Sequence, residues 1–286
     1  MGMIISFRVP AMLAGSAILA LAACSSGKSE AASEASTPVA EKAAPAAPAK
    51  ADHVAATGQA GDKGEVAVEE KTAGYTFHYS YPAQVNGLPV LKKRLDEEGK
   101  AAKTELVQWA KEGQEGAKSD ARPFNPYDLV STWSVVTDLP EWLSLSNETY
   151  SFTGGAHGNT GYDGILWDKK AHQDRKPESL FLSAAAMEKV LRPAMCDKLD
   201  AERSKRREEK VVRDPEDWAS ACIALKDTTI ILGSSNRTTF NRIGFIMAPY
   251  SAGPYVEGTY EVTLPVTNAV LAAIKPEFRS AFSVGR

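Results

Sequence analysis

Three cysteines and four histidines in 286 residues leave little material for metal or redox chemistry, and the sequence holds neither a Cys-x-x-Cys pair nor an H-E-x-x-H signature. A G-x-S-x-G nucleophile elbow is also absent, which removes the simplest sequence argument for a serine hydrolase. No sign of charge dominates: 33 Lys and Arg face 36 Asp and Glu, a net charge of −3, so nucleic acid is not an expected partner. No period of 20–50 residues announces a solenoid. Long apolar runs are missing as well. The one candidate, residues 11–23, is too short to cross a hydrocarbon core of ~30 Å. Aromatic residues are absent from 25–70, whereas all five Trp and all nine Tyr follow residue 70.

What is present near the start has a definite meaning. Arg8 precedes the apolar run, and the run ends in Leu21-Ala22-Ala23-Cys24, a sequence similar to a bacterial lipobox. The expectation is a lipoprotein signal peptide over 1–23, with Cys24 acylated and becoming the first residue of the mature chain. Several acyl chains on Cys24 would attach the protein to a membrane without spanning it. Ser25, where an Asp would favour inner-membrane retention, points to the periplasmic face of the outer membrane within the cell envelope. Residues 24–70 follow as a tether rich in Ala, Pro, Glu and Lys. With 14 Ala in 25–70 and little else to bury, this stretch is expected to be disordered, with a mean span of about 40 Å.

Residues 71–286 carry 28 charges of each sign and enough apolar residues for one large or two small cores. Alternation predicts strands over 75–81, 129–139, 142–152 and 162–167, and again over 228–232, 240–247 and 259–264. Helical spacing of Leu88, Leu91, Leu95, Ala102, Leu106 and Trp109 predicts a first helix, weakened by Gly99 and ended by Gly113 and Gly116. Ser183 is placed to cap a second helix, whose charged continuation over 200–210 reads as a solvated end, and a third helix closes the chain over 266–274. The class implied is α+β, an antiparallel β-sheet with helices packed on it. Once Cys24 is acylated, Cys196 and Cys222 are the remaining thiols in an oxidising compartment, and they are expected to form a disulfide.

Two segments concentrate unusual residues. The first, 153–161, has four glycines around His157 between two predicted strands. Its exposed peptide groups and imidazole suit a binding turn. A general-base role for His157 is the competing reading, but no acid stands at a recognisable spacing from it. Glu141, Glu148, Asp163 and Asp168 lie near the predicted meander, and a glycosidase-like pair among them is less favoured than solvated faces. The second segment, 245–258, passes from strand to strand through Pro249, Tyr250, Gly253, Pro254, Tyr255 and Glu257. The candidate binding residues are Gly154, Gly155, His157, Gly158, Asn159, Tyr250, Pro254, Tyr255 and Glu257. No catalytic residue, metal or cofactor is expected.

Read in order, Gly154-Gly155-Ala156-His157-Gly158-Asn159, Pro177-Glu178-Ser179-Leu180-Phe181 and Gly253-Pro254-Tyr255-x-Glu257-Gly258 carry a family likeness. Over roughly 73–275 the chain resembles the extracytoplasmic domain shared by RsiV-type anti-sigma factors and the N-terminal part of PdaC-type peptidoglycan deacetylases. The resemblance implies an α+β fold and a receptor role. In RsiV such a domain binds lysozyme, and PdaC keeps its chemistry in a separate domain. With no membrane-spanning run and no sigma-binding segment, an anti-sigma role is not expected. The leading expectation is a non-enzymatic, lipid-anchored periplasmic module that binds a lysozyme-type cell-wall hydrolase or peptidoglycan. The alternatives are a cell-wall hydrolase using His157 and a purely structural envelope lipoprotein.

Overall fold

Alternating side chains set two faces on the first long strands, and the two faces acquire different partners. A computed structural model describes residues 64–285. The expected signal peptide, Cys24 and most of the expected tether fall outside the described residues. Six strands form the larger sheet in sequence order: β1 (Val66–Lys71), β2 (Tyr75–Tyr81), β3 (Tyr127–Asp138), β4 (Trp142–Phe152), β5 (Asn159–Asp168) and β6 (Gln173–Arg175). In β2, Phe77, Tyr79 and Tyr81 are buried against helix α1 (Pro89–Ser119), together with Leu91, Leu95, Leu106, Leu143 and Leu145. Within this core Glu98 accepts hydrogen bonds from the Tyr79 hydroxyl and from Trp133 Nε1, each at 3.1 Å.

The α+β class read from the sequence holds, and one strand pair departs from the antiparallel pattern. β2 and β3 run parallel, joined across the sheet by α1. Every other junction is antiparallel. β1 also corrects the expected boundary at residue 71: Val66 packs against the α1 core and the whole of β1 pairs with β2, so ordered structure reaches into the stretch assigned to the tether.

The glycines expected to end α1 do not end it; the helix runs through Gly113 and Gly116 to Ser119. The reason is close packing. A Cβ at Gly113 would collide with the Tyr127 ring, and one at Gly99 would lie 2.7 Å from the Tyr79 ring, so these glycines let the sheet approach the helix. Their helical cost, about 1 kcal/mol each, is offset by the aromatic contacts they admit.

A second core lies between a three-stranded antiparallel sheet, β7 (Thr229–Gly233), β8 (Arg242–Met247) and β9 (Tyr260–Pro265), and helix α2 (Ala184–Arg207). Leu232, Ile243, Phe245, Met247, Val262 and Leu264 meet Met187, Leu191, Met195 and Leu199 of α2. Ser183 caps α2 by accepting from the Ala186 N–H at 3.0 Å, and Thr267 caps α3 (Asn268–Ala273) in the same way. The opposite face of the small sheet turns to the large one: Thr229 Oγ1 donates to the Tyr162 carbonyl at 2.8 Å, and Tyr162 and Thr259 share a hydroxyl bond at 3.0 Å. The layers are therefore helix, large sheet, small sheet, helix.

The charged end of α2 is not uniformly solvated, contrary to its mixed sequence. Arg203 is fully buried; its Nε donates to the Ala252 carbonyl at 2.9 Å, and its Nη1 to Ser220 and Ala221 carbonyls at 3.0 Å and to Asp200 at 3.1 Å. Its long side chain ties α2 to two loops. Cys196 and Cys222 form the expected disulfide, with Cα atoms 5.5 Å apart, and fix one of those loops to the same helix.

Candidate functional site

The turn between β4 and β5 needs glycine for conformational reasons at two positions: Gly154 and Gly155 have φ of +96° and +97°. Gly158 is needed for space, since a Cβ there would run into the Tyr150 ring. The result projects His157 outward, where it is exposed. Its Nδ1 lies 2.9 Å from the Gly158 carbonyl, an oxygen that can only accept, so Nδ1 carries the proton in the neutral ring. Nε2 then presents a lone pair toward the Tyr250 hydroxyl at 3.4 Å.

The second candidate segment, joining β8 to β9, comes to the same place. Tyr255 stacks on His157 with ring centroids 3.8 Å apart and planes 18° from parallel, and its hydroxyl donates to the Gly158 carbonyl at 3.0 Å. Tyr250 stands 5.4 Å from the Tyr255 ring and is 53% exposed. Two motifs about 95 residues apart thus build one aromatic surface. Among the described residues, no carboxylate contacts the imidazole.

Other residues of the two segments support this surface. Pro254 opens the short turn Tyr255–Glu257, and Asn159 begins β5 opposite Ser151. Glu257 is turned inward: Arg207 of α2 grips it through two bonds, at 2.7 and 2.9 Å, and Tyr260 donates to it as well. Burial disfavours its charge, but Arg207 and Tyr260 outweigh that and hold the carboxyl below its usual range. Arg206 lies 4.0 Å over the Tyr260 ring. With Arg203 bonded to Ala252, three arginines of one helix hold the loop that carries Tyr250 and Tyr255.

The four carboxylates named from the sequence do not form a common group. Asp168 is engaged by Arg175 at 2.7 Å and by the Ala171 N–H at 2.8 Å. Glu148 pairs with Tyr162 in the β4–β5 register, so Asp163, one residue further, points to the opposite face. Glu141 sits exposed in the turn before β4. Among the described residues no group of three or more His, Cys, Asp or Glu side chains is placed to hold a metal ion.

Glu148 instead enters a cleft of about 350 Å³ between the two sheets, where Tyr150 and Tyr162 of the large sheet face Ile231, Ile246 and Glu261 of the small one. Burial, with the charges of Glu148 and Glu261, pushes the Tyr162 phenol up to about 12. Sequence reasoning missed this cleft. Strand alternation alone put Glu148 and Tyr150 on one face, but nothing local indicated that a second sheet would close over them.

Comparison with known proteins addresses the first half of the domain. Residues 68–160 match the family model described as Deacetylase PdaC. This stretch is a PdaC-like segment. It runs from β1 through the His157 turn, and over these residues it bears out the resemblance read from the motifs. α2 and the Tyr250–Tyr255 loop lie beyond the PdaC match. No curated protein matches the chain. Two solved structures are similar to it. A DUF3298-family member from Bacteroides fragilis NCTC 9343 is 17% identical, with a TM-score of 0.48, 71% of this chain covered and 89% of that one. A DUF3298-family protein from Pseudomonas aeruginosa PAO1 is 18% identical, with a TM-score of 0.45, 78% of this chain covered and 96% of that one.

Proposed function

We propose that this protein is a lipid-anchored, non-catalytic binding module of the bacterial cell envelope, and that it recognises a lysozyme-type cell-wall hydrolase through the surface formed by His157, Tyr250 and Tyr255. The observation that carries the reading is the meeting of two loops in one exposed aromatic cluster, held from behind by the α2 arginines. Tyrosines fixed in this manner lose little freedom on binding and are favoured as interface anchors. A hydrolytic role for His157 is less supported, because Nδ1 is occupied by a carbonyl and the neighbour of Nε2 is a phenol rather than a carboxylate.

The test is capture of lysozyme by the immobilised full chain, with purified peptidoglycan in a parallel sedimentation assay. Tyr255→Ala is expected to weaken lysozyme binding by roughly 30- to 1,000-fold while the fold is retained. Co-sedimentation with peptidoglycan and no lysozyme capture would replace the protein partner with the wall glycan. Turnover of muropeptide by wild type, lost in a folded His157→Ala variant, would overturn the non-catalytic reading.

The membrane address rests on the lipobox. Cys24→Ser is expected to abolish acylation and leave the protein as uncleaved precursor or as soluble periplasmic material. Fractionation that still finds the variant processed and membrane-bound would refute the anchor.

A further inference from the structure

The geometry points to the cleft between the two sheets as a binding site for a saccharide unit, separate from the aromatic loop surface. Its walls come from different layers. Thr132, Glu148 and Tyr162 project from adjacent strands of the large sheet, in register across β3, β4 and β5, and Glu261 faces them from β9. The volume of about 350 Å³ falls at the lower end of the roughly 300–1,000 Å³ usual for ligand sites, room for a mono- or disaccharide.

The chemistry of the walls narrows the ligand class. No Lys, Arg or His lines the cleft, so a phosphate or carboxylate ligand would meet no cation in its walls. Carboxylates only accept hydrogen bonds, and the hydroxyls of Thr132 and its neighbour Ser134 both donate and accept. Such a set suits a ligand with many O–H and N–H donors around its rim. The remaining wall is apolar or aromatic, built from Tyr150, Tyr162, Val130 and Ile246. A ligand with a polar rim and apolar C–H faces satisfies both requirements, and a pyranose ring is such a ligand.

The site is also built in advance of binding. Tyr162 is fixed at both ends, by Thr229 on its carbonyl and by Thr259 on its hydroxyl. Tyr150 is confined by Gly158, where any side chain would strike its ring. Fixed partners reduce the ordering cost of association. Tyr150 thus stands between the cleft and the loop surface, although the two sites are assayed on different residues.

The experiment is calorimetric titration of the full chain with chitotriose, and in separate arms with inorganic phosphate and with butylammonium chloride. Chitotriose is expected to bind in the millimolar range or tighter, and the other two are expected not to bind. Glu148→Gln and Thr132→Val, which keep the shape of the site, are each expected to weaken saccharide binding about tenfold, with near-UV circular dichroism unchanged. Absence of saccharide binding would overturn the inference, as would binding that both variants leave intact. Binding of butylammonium or phosphate in place of the sugar would overturn it as well. Lysozyme capture by Glu148→Gln is expected to equal that of wild type, so each proposal can fail without the other.

Discussion

Arg203→Ala is expected to destabilise the protein by about 3–5 kcal/mol, a loss of roughly 10 °C in melting temperature for a domain of this size. The side chain is wholly buried, and its removal leaves the buried carbonyls of Ser220 and Ala252, and the partly buried one of Ala221, without this donor. Lysine is not an adequate replacement. A single ammonium cannot donate in the separate directions that the guanidinium serves, so Arg203→Lys is expected to recover only part of the loss. Nη2 of Arg203 has no hydrogen-bond partner, a cost the fold already carries for keeping this residue inside. Thermal unfolding followed by circular dichroism measures the effect, and a change below about 1 kcal/mol would refute this account of the buried cation. Because Ala252 lies in the loop that presents Tyr250 and Tyr255, the surviving folded fraction is also expected to bind the proposed partner more weakly.

Removal of the disulfide by Cys196→Ala together with Cys222→Ala is expected to cost roughly 3–4 kcal/mol by loss of the constraint on the unfolded chain. The two cysteines are 26 residues apart, and the segment before Cys222 has almost no regular structure to hold it. It is attached to α2 by the disulfide, by the bonds from Arg192 to the carbonyls of Cys222 and Ile223, by the bonds from Arg203 and Arg207 to those of Ala219, Ser220 and Ala221, by the ion pairs of Arg213 with Asp197 and Asp200, and by the Val211 N–H on the Ser204 hydroxyl. Since Arg203 and the disulfide secure the same few residues, their effects are expected to be non-additive when combined. Urea unfolding of the wild type with and without a dithiol reductant should reproduce the loss; identical midpoints would contradict it.

Local patterns accounted for much of the fold. β4 and β9 follow directly from alternation, and the caps at Ser183 and Thr267 mark helix starts by chemistry that operates within three residues. Errors arose where a residue's meaning depended on a distant neighbour. Gly113 reads as a helix stop until the Tyr127 ring is placed against it, and Arg203 reads as solvated until two loops close over it. The same holds for the candidate site. Both motifs were visible as unusual sequences, yet the contact of His157 with Tyr250 and Tyr255 spans more than 90 residues and has no local signature. Glu257 looked like a surface ligand and proved to be a partner of Arg207, because α2 brings that arginine to it.

The parallel pairing of β2 with β3 has a consequence for the order in which the sheet assembles. β3, β4 and β5 are joined by short turns and can zip together as a local ribbon, whereas β2 reaches β3 only after the whole of α1 has been traversed. Closing that long connection loses more chain entropy before any contact repays it, so the step falls late. The expected folding nucleus is therefore the β3–β5 ribbon, with β1 and β2 joining after the rate-limiting barrier, an order that φ-values near zero in β1 and β2 would bear out. Changes in those two strands then act mainly by accelerating unfolding, and the lifetime of the folded state is governed at that edge.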